Sequence, residues 1–181
     1  MAKDRKIDMV ILGLLAHEDM SGYDIKKRID HEISFFWKGS FGSIYPALGE
    51  MLKEGKVEKS NEASEGGRER ILYRITPLGE ETLRNWLRDG KADNDLKYET
   101  LVKLFFGRSA GNEVTIKNIE IFEKDVRKDL AVLNGFRQVL EEHMEEEEDH
   151  RYFYLTVLFG IESYEAYLRW CRKAKKILLE H

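Results

Sequence analysis

Apolar positions in the first third of the chain recur three and four residues apart, which is the spacing of amphipathic helices. The pattern predicts a first helix over residues 7–16 and a second over residues 21–31, with Ser21 as the N-cap of the second. Ser43 is expected to cap a third helix, with Pro46 in its first turn, where a missing N–H removes no helical hydrogen bond. Short helices therefore open the chain.

The pattern then changes to an alternation of apolar and polar residues, which is typical of strands. Strands are predicted over residues 56–61 and 69–75, joined by a polar loop whose two glycines permit a tight hairpin. The second strand is expected to bury one face and to turn its basic residues outward. The predicted inward residues are Ile71, Tyr73 and Ile75, and the predicted outward residues are Arg70, Leu72 and Arg74.

A fourth helix is predicted after the hairpin, because Thr76 is an N-cap candidate and Pro77 suits the first helical position. The charged, non-periodic residues 89–95 then indicate a domain boundary. Residues 1–90 are accordingly assigned to one domain and residues 91–181 to a second. The apolar face of the fourth helix is expected to consist of Leu83, Trp86 and Leu87.

The second domain has a helical pattern throughout, with helices predicted over residues 97–106, 113–146 and 152–179. The last helix begins with a stretch that is apolar almost all round, and such a helix is buried on every side. A domain of this size cannot surround it, so a second copy of the chain is expected to cover it. The residues expected at that dimer contact are Phe153, Leu155, Val157, Leu158, Phe159, Ile161 and Tyr164.

The order of the elements is more informative than any single element. A helix pair with a Gly-containing turn, a third helix and a two-stranded hairpin form the connectivity of a winged helix-turn-helix. The predicted fold is mainly α: an N-terminal winged helix-turn-helix with a two-stranded β-wing, followed by an all-helical C-terminal dimerisation domain. Such a fold places one helix in the major groove of DNA.

Candidate DNA contacts follow from the chemistry of the helices and the wing. Small polar residues at a helix start let backbone N–H groups approach a phosphate. A tyrosine hydroxyl can donate to a phosphate, and basic side chains can meet phosphates or enter the minor groove. The candidates are Lys26, Lys27, Ser40, Gly42, Ser43, Tyr45, Arg68 and Arg70. The third helix starts without Arg, Asn or Gln, so specificity is expected to depend partly on DNA shape and half-site spacing.

Charge and composition narrow the class of protein. The net charge is −4 and neither half is basic, so any DNA binding must come from a local patch. Cys171 is the only cysteine, which excludes an intramolecular disulfide and a cysteine zinc cluster. The N-terminus has no signal-peptide core, and no apolar stretch reaches the roughly 18 residues of a membrane span. We therefore expect a soluble, cytoplasmic protein without a membrane partner.

Other candidate chemistry is weak. If one helix carried both His143 and His150, they would lie two turns apart, about 10.5 Å along its axis, too far to share a metal. No catalytic motif stands out, so no enzyme activity, cofactor or metal is expected. Four aromatic residues are candidates to line an effector cavity between the domains, and an ordinary core position is the alternative for each. They are Phe36, Trp37, Tyr98 and Phe105.

The segments SGYDIKKRI, GSIYPALGEMLKEGKV and ILYRITPLGEETLRNWL, within residues 7–88, resemble the PadR family of transcriptional regulators. The helical remainder resembles the virulence-activator alpha C-terminal domain. The resemblance implies a homodimer, joined through its C-terminal helices, on an inverted-repeat DNA operator. It also implies repression in most members, release by a small molecule in many, and DNA contacts from four regions. Those are the positions of Tyr23, Ser43, Tyr45 and the wing around Gly66 and Gly67. Family members have a basic wing tip, and this chain departs from that pattern at Glu65 and Glu69.

The sequence as a whole predicts a dimeric transcriptional regulator, a repressor that a small hydrophobic or aromatic molecule releases from DNA. Two rival functions stay open. A winged-helix module that binds protein rather than DNA predicts no salt-dependent DNA affinity and tolerance of Tyr45→Ala. A small-molecule-binding protein without DNA binding predicts tight ligand binding that is uncoupled from DNA.

Overall fold

A computed structural model describes residues 6–37, 41–62, 70–90, 94 and 98–180. The chain divides into two compact units, Met1–Asp93 and Asn94–His181, which are described separately. Within the described ranges, no helix is both long enough and apolar enough to cross a membrane. The first unit contains four α-helices and a two-stranded sheet among its described residues, and the second contains three α-helices.

The helices and strands of the first unit follow the predicted order. Its helices are α1 (Lys6–Leu15), α2 (Gly22–Arg28), α3 (Ile44–Lys53) and α4 (Pro77–Arg88), and its strands are β1 (Val57–Glu62) and β2 (Arg70–Ile75). A π-helical turn, Ile29–Ile33, extends α2, and a 3₁₀ turn, Phe41–Ser43, leads into α3. The strands pair antiparallel, with Val57 opposite Ile75.

One apolar core holds these elements together. Helices α1, α2 and α3 each turn an apolar stripe inward, and the first residue of β1 joins them. Leu83 of α4 packs against this core from its edge. The largest fully buried side chains there are Met9, Ile11, Leu12, Ile25, Ile29, Ile44, Leu48, Met51 and Val57.

Two helix starts behave as predicted, and a third does not. The Ser21 hydroxyl caps α2, and Thr76 caps α4 by accepting from the N–H of Gly79 at 3.2 Å. Ser43 precedes α3, but its side chain makes no capping hydrogen bond. A capping residue adopts an extended backbone, whereas Ser43 has φ −93° and ψ −12° because the 3₁₀ turn already runs through it.

The predicted alternation in β2 is wrong at two positions. Leu72, expected outside, is buried, and Ile71, expected inside, is 45% exposed. Ile71 pairs with Asn61 toward the hairpin tip, where the strand runs beyond the core. The prediction for α4 also needs a correction, since Trp86 and Leu87, in its last turn, are exposed, whereas Leu83, one turn earlier, packs against the core.

The second unit is built on a helical hairpin. Its helices are α5 (Glu99–Phe105), α6 (Asn112–Glu142) and α7 (Asp149–Glu180). Contacts pair Asn112 with Leu178 and Leu133 with Gly160, so α6 and α7 run antiparallel. The side chains buried along this hairpin include Ile119, Val126, Leu133, Ile161, Leu168 and Cys171.

The prediction of a helix continuing to residue 146 is wrong, because α6 ends at Glu142 and His143 leaves helical geometry at φ −115° and ψ 16°. Residues 145–149 are all acidic, and negative charge is unfavourable at a helix C-terminus but favourable at an N-terminus. The acidic run therefore forms the turn and the start of α7. His143 and His150 consequently do not share a helix.

Candidate nucleic-acid interface

The start of α2 is held firmly at the surface of the first unit. Ser21 and Asp24 form a reciprocal capping box, in which the Asp24 N–H donates to Ser21 Oγ at 3.2 Å. The Ser21 N–H donates in return to Asp24 Oδ2 at 3.0 Å. This box places the next residues outward: Tyr23 is 67% exposed, and Lys26 and Lys27 are also exposed.

The start of α3 lies beside the start of α2. Tyr45, in the first turn of α3, keeps 62% of its surface exposed. Its ring edge lies against Gly22, the chain neighbour of Tyr23. Gly42 is exposed and Ser43 half-buried just before the helix. The structure therefore brings the predicted contact residues of α2 and α3 onto neighbouring parts of one surface.

The wing is tied to the turn between α1 and α2. Met20 forms an antiparallel bridge with Tyr73, through N–H to carbonyl hydrogen bonds of 3.1 and 2.8 Å. Next to this bridge, the Arg74 guanidinium donates to both carboxylate oxygens of Asp19 at 2.7 to 3.1 Å. The hydrogen bonds to Asp19 raise the pKa of Arg74, and the Arg74 charge is therefore already paired with the Asp19 carboxylate.

Four predicted DNA-contact residues cannot be placed in this interface. Ser40, Gly66, Gly67 and Arg68 lie outside the described residues. Arg70 is the first residue of β2, and its backbone pairs with Glu62. The described part of the interface therefore consists of the starts of α2 and α3 and the base of the wing.

The predicted dimer residues divide into an exposed group and a buried group. Phe153, Leu155 and Phe159 on α7 are 44%, 60% and 71% exposed. Val157 and Leu158 are half-buried. Ile161 is buried within the same chain, so its side chain is not available to a partner. Tyr164 is also largely covered, and burial together with the charge of Asp129 raises its pKa to about 12.

The predicted effector residues do not form one cluster within either unit. Phe36 and Trp37 belong to the first unit, where Phe36 is exposed and the Trp37 Nε1 is buried without an acceptor among the described residues. Tyr98 and Phe105 belong to the second, where Phe105 is 83% exposed. The Tyr98 hydroxyl instead bonds to that of Tyr167, and burial raises its pKa.

His143 and His150 form hydrogen bonds within the turn between α6 and α7. His143 Nδ1 lies 2.9 Å from Glu146 Oε1, and His150 Nδ1 lies 2.7 Å from the carbonyl oxygen of His143. Among the described residues, no group of three or more His, Cys, Asp or Glu side chains has the geometry to hold a metal ion. The two histidines are part of the turn's own hydrogen-bond network.

Two protein families match this chain, one in each of its two units. Residues 11–85 match the transcriptional regulator PadR-like family, and residues 96–178 match the virulence activator alpha C-terminal family. A curated relative, the negative transcriptional regulator PadR of Bacillus subtilis, is 25% identical over 173 residues, which are 92% of this chain and 93% of the relative. The chain contains a PadR-like domain followed by a virulence activator alpha C-terminal domain. Its homologues are transcriptional regulators, a family that is not enzymatic.

Solved structures of the family share the fold over nearly the whole chain. B. subtilis PadR in complex with operator DNA matches with a TM-score of 0.81 and 25% identity, covering 96% of this chain and 99% of that one. B. subtilis PadR in complex with p-coumaric acid matches with a TM-score of 0.73 and 24% identity, over 96% and 99% of the two chains. The mainly α winged-helix architecture predicted for this PadR-like chain is thereby confirmed.

Two contacts of the candidate interface were not predicted from the sequence. Asp19 and Arg74 are 55 positions apart, and no local pattern indicates that they meet. Gly22 belongs to the Ser-Gly-Tyr turn, where a glycine is expected for the turn alone. Its contact with the ring of Tyr45 depends on how α2 and α3 pack, which the periodicity of each helix does not specify.

Proposed function

We propose that this PadR-like protein is a homodimeric repressor that binds an inverted-repeat operator and that a small aromatic molecule releases. The observation that carries the proposal is the pair of exposed tyrosines, Tyr23 and Tyr45, at the starts of two helices of the winged helix-turn-helix. Tyrosine is enriched at interfaces because its ring packs against a partner while its hydroxyl forms a hydrogen bond. The operator complex of B. subtilis PadR supports DNA as that partner.

The DNA contacts are proposed to be made mainly with the phosphate backbone. The Tyr23 and Tyr45 hydroxyls donate to phosphate oxygens, and Lys26 and Lys27 add positive charge on α2. Gly42 carries no side chain, so DNA can approach the backbone before α3 closely. Because Asp19 engages Arg74, the base of the wing contributes shape rather than free charge. Sequence preference then depends partly on DNA shape and half-site spacing.

The dimer is proposed to form through the first half of α7. Phe153, Leu155 and Phe159 expose large apolar surface in the single chain, and a second copy covers them in a two-fold arrangement. Ile161 supports α7 from inside the protomer. A two-fold axis sets two recognition helices about 34 Å apart, so that they reach successive major grooves.

The effector is proposed to be a small aromatic molecule with a hydrogen-bond acceptor. The buried Trp37 Nε1 without an acceptor among the described residues supports this chemistry, and Phe36 beside it is exposed. B. subtilis PadR has been crystallised with p-coumaric acid, a molecule of this kind. Such an effector releases DNA only if it binds the DNA-incompetent state more tightly than the competent one.

The proposal is tested by fluorescence anisotropy, with DNA from upstream of the protein's own gene and scrambled DNA of equal length. We expect salt-dependent binding that prefers the upstream DNA and weakens about tenfold in Tyr45→Phe, which loses one charge-assisted hydrogen bond. Ile177→Ala, which changes an exposed residue at the far end of α7, serves as the control. Absence of DNA binding at low salt would favour a protein-interaction module instead.

Addition of p-coumaric acid to the preformed complex tests the effector. Release is expected from the wild-type protein and not from Trp37→Phe, which lacks the indole N–H but keeps an aromatic ring. Equal release from both proteins would contradict the role given to Trp37. No release from the wild type would reject p-coumaric acid as an effector of this protein.

A further inference from the structure

We propose that Gly22 is a positioning residue for DNA binding, because the absence of its side chain fixes where the Tyr45 hydroxyl lies. The inference rests on the proposed role of Tyr45 in binding DNA. A Cβ atom added at Gly22 would lie 2.6 Å from Tyr45 Cε1, 3.1 Å from Cζ and 3.3 Å from Cδ1. One whole edge of the ring therefore occupies the space that a side chain at Gly22 would need.

The backbone at Gly22 is fixed from both sides. Ser21 and Asp24 close the capping box around it, with Ser21 Oγ donating to Asp24 Oδ2 at 2.7 Å. One residue before the box, Met20 is bridged to Tyr73 of the wing by two backbone hydrogen bonds. A methyl group at Gly22 therefore cannot be relieved by moving the backbone at little cost.

The ring of Tyr45 is the part that moves when a methyl group is added at Gly22. It extends from the first turn of α3, and 62% of its surface is exposed, so it can rotate into solvent without opening the core. The helix itself stays anchored by Ile44, Ala47 and Leu48, all of which are fully buried or nearly so. Gly22→Ala is therefore expected to keep the fold and displace the Tyr45 hydroxyl.

The test is a double-mutant cycle of DNA affinity with Gly22→Ala, Tyr45→Ala and the double variant. Gly22→Ala should weaken binding about tenfold, as expected for a misplaced hydroxyl–phosphate hydrogen bond. In the Tyr45→Ala background the same change should have almost no further effect, because the ring through which it acts is absent. A merely structural role for Gly22 would weaken both backgrounds equally.

Gly13→Ala is the matched control. It also adds one methyl group to a helix of the first unit, but a Cβ there has no neighbour within 4 Å. It should leave DNA affinity unchanged. Thermal unfolding of every variant separates a loss of contact from a loss of fold.

Each outcome of the cycle decides something. Wild-type affinity in Gly22→Ala, or additive effects of the two changes, would overturn the inference while leaving the proposed function intact. If Tyr45→Ala binds DNA as the wild type does, the proposed role of Tyr45 fails and the inference fails with it. If Gly22→Ala does not fold, the double variant should fold, since the ring is gone; an unfolded double variant would reject the steric explanation.

Discussion

Gly79 and Gly22 are both in contact with other parts of the first unit, and the effect of replacing either with alanine depends on whether the added methyl group meets a side chain or the backbone. A Cβ at Gly22 meets the side chain of Tyr45, which can move. A Cβ at Gly79, in the first turn of α4, overlaps the backbone carbonyl oxygen of Lys56 and lies 2.8 Å from Ile75 Cγ1. That carbonyl also accepts the Thr76 N–H at 3.1 Å, so it is held in place where β1 begins.

We predict that Gly79→Ala lowers the free energy of unfolding by about 3 kcal/mol, because the backbone at Lys56, just before β1, must shift to relieve the overlap. Urea unfolding followed by circular dichroism measures this. Gly13→Ala, whose added methyl has open space, should be neutral or slightly stabilising. Equal stability of Gly79→Ala and the wild type would show that Gly79 does not pack against the Lys56 carbonyl as described.

Cys171 is another residue whose surroundings determine its chemistry. Its side chain is fully buried between α6 and α7, and burial raises the pKa of the thiol. The thiolate is the reactive form of cysteine, so the raised pKa and the lack of solvent access both slow the reaction of Cys171. We predict that a thiol reagent modifies Cys171 far more slowly in the native protein than in denaturant. Complete reaction within seconds under native conditions would indicate a redox-sensing role instead.

At the scale of elements, an ion cluster fastens α6 to α7. Glu123, which is buried, accepts from Lys175 Nζ at 2.6 Å and from Arg127 at 2.5 Å. The hydrogen bond from Lys175, followed by that from Arg127, lowers the pKa of Glu123. The cluster joins positions 52 residues apart and reinforces the apolar contacts of the hairpin.

The lowered pKa of Glu123 makes the hairpin sensitive to acid. A carboxylate whose pKa is lower in the folded state stabilises the fold above its unfolded pKa, about 4.3, and loses that contribution as pH falls through the folded value. We predict that Glu123→Gln costs about 1 to 3 kcal/mol at pH 7 and that the difference from the wild type shrinks below about pH 4. Glu120→Gln, an exposed position on α6, should show neither effect.

Acid titration of thermal unfolding for the two variants and the wild type measures this prediction. A difference between Glu123→Gln and the wild type that stays constant down to pH 2 would contradict the pKa argument.

Periodicity predicted the number and order of the elements because each helix and strand has its own apolar pattern. Capping chemistry placed the starts of α2 and α4, where Ser21 and Thr76 bond to the helix backbone. The end of α6 was predicted four residues too late, at residue 146, although acidic residues are unfavourable at a helix C-terminus. Contacts such as Gly22 with Tyr45 and Glu123 with Lys175 could not be predicted, because they depend on how separate elements pack.

At the scale of the whole molecule, the exposed apolar residues of α7 argue for a dimer. We predict that Leu155→Glu gives a monomer, because dimerisation would bury the new carboxylate in an apolar contact without a positively charged partner. Light scattering gives the mass directly. Ile177→Glu, which places the same charge at an exposed apolar position near the other end of α7, is the control and should remain a dimer.

A wild-type monomer would reject the dimer outright. A Leu155→Glu variant that stays dimeric would show that the dimer contact lies on another surface. In the expected case, the monomeric variant should also lose most of its affinity for the operator, because each half-site then binds separately.

Hydroxyl-radical footprinting of the upstream DNA reports DNA binding and two-fold symmetry in one experiment. We expect two protected stretches related by an inverted repeat, with centres one helical turn, about 10 base pairs, or a multiple of that apart. Both should weaken together in Tyr45→Phe. A single protected stretch, or uniform protection without a boundary, would contradict a dimer that places two recognition helices on one operator.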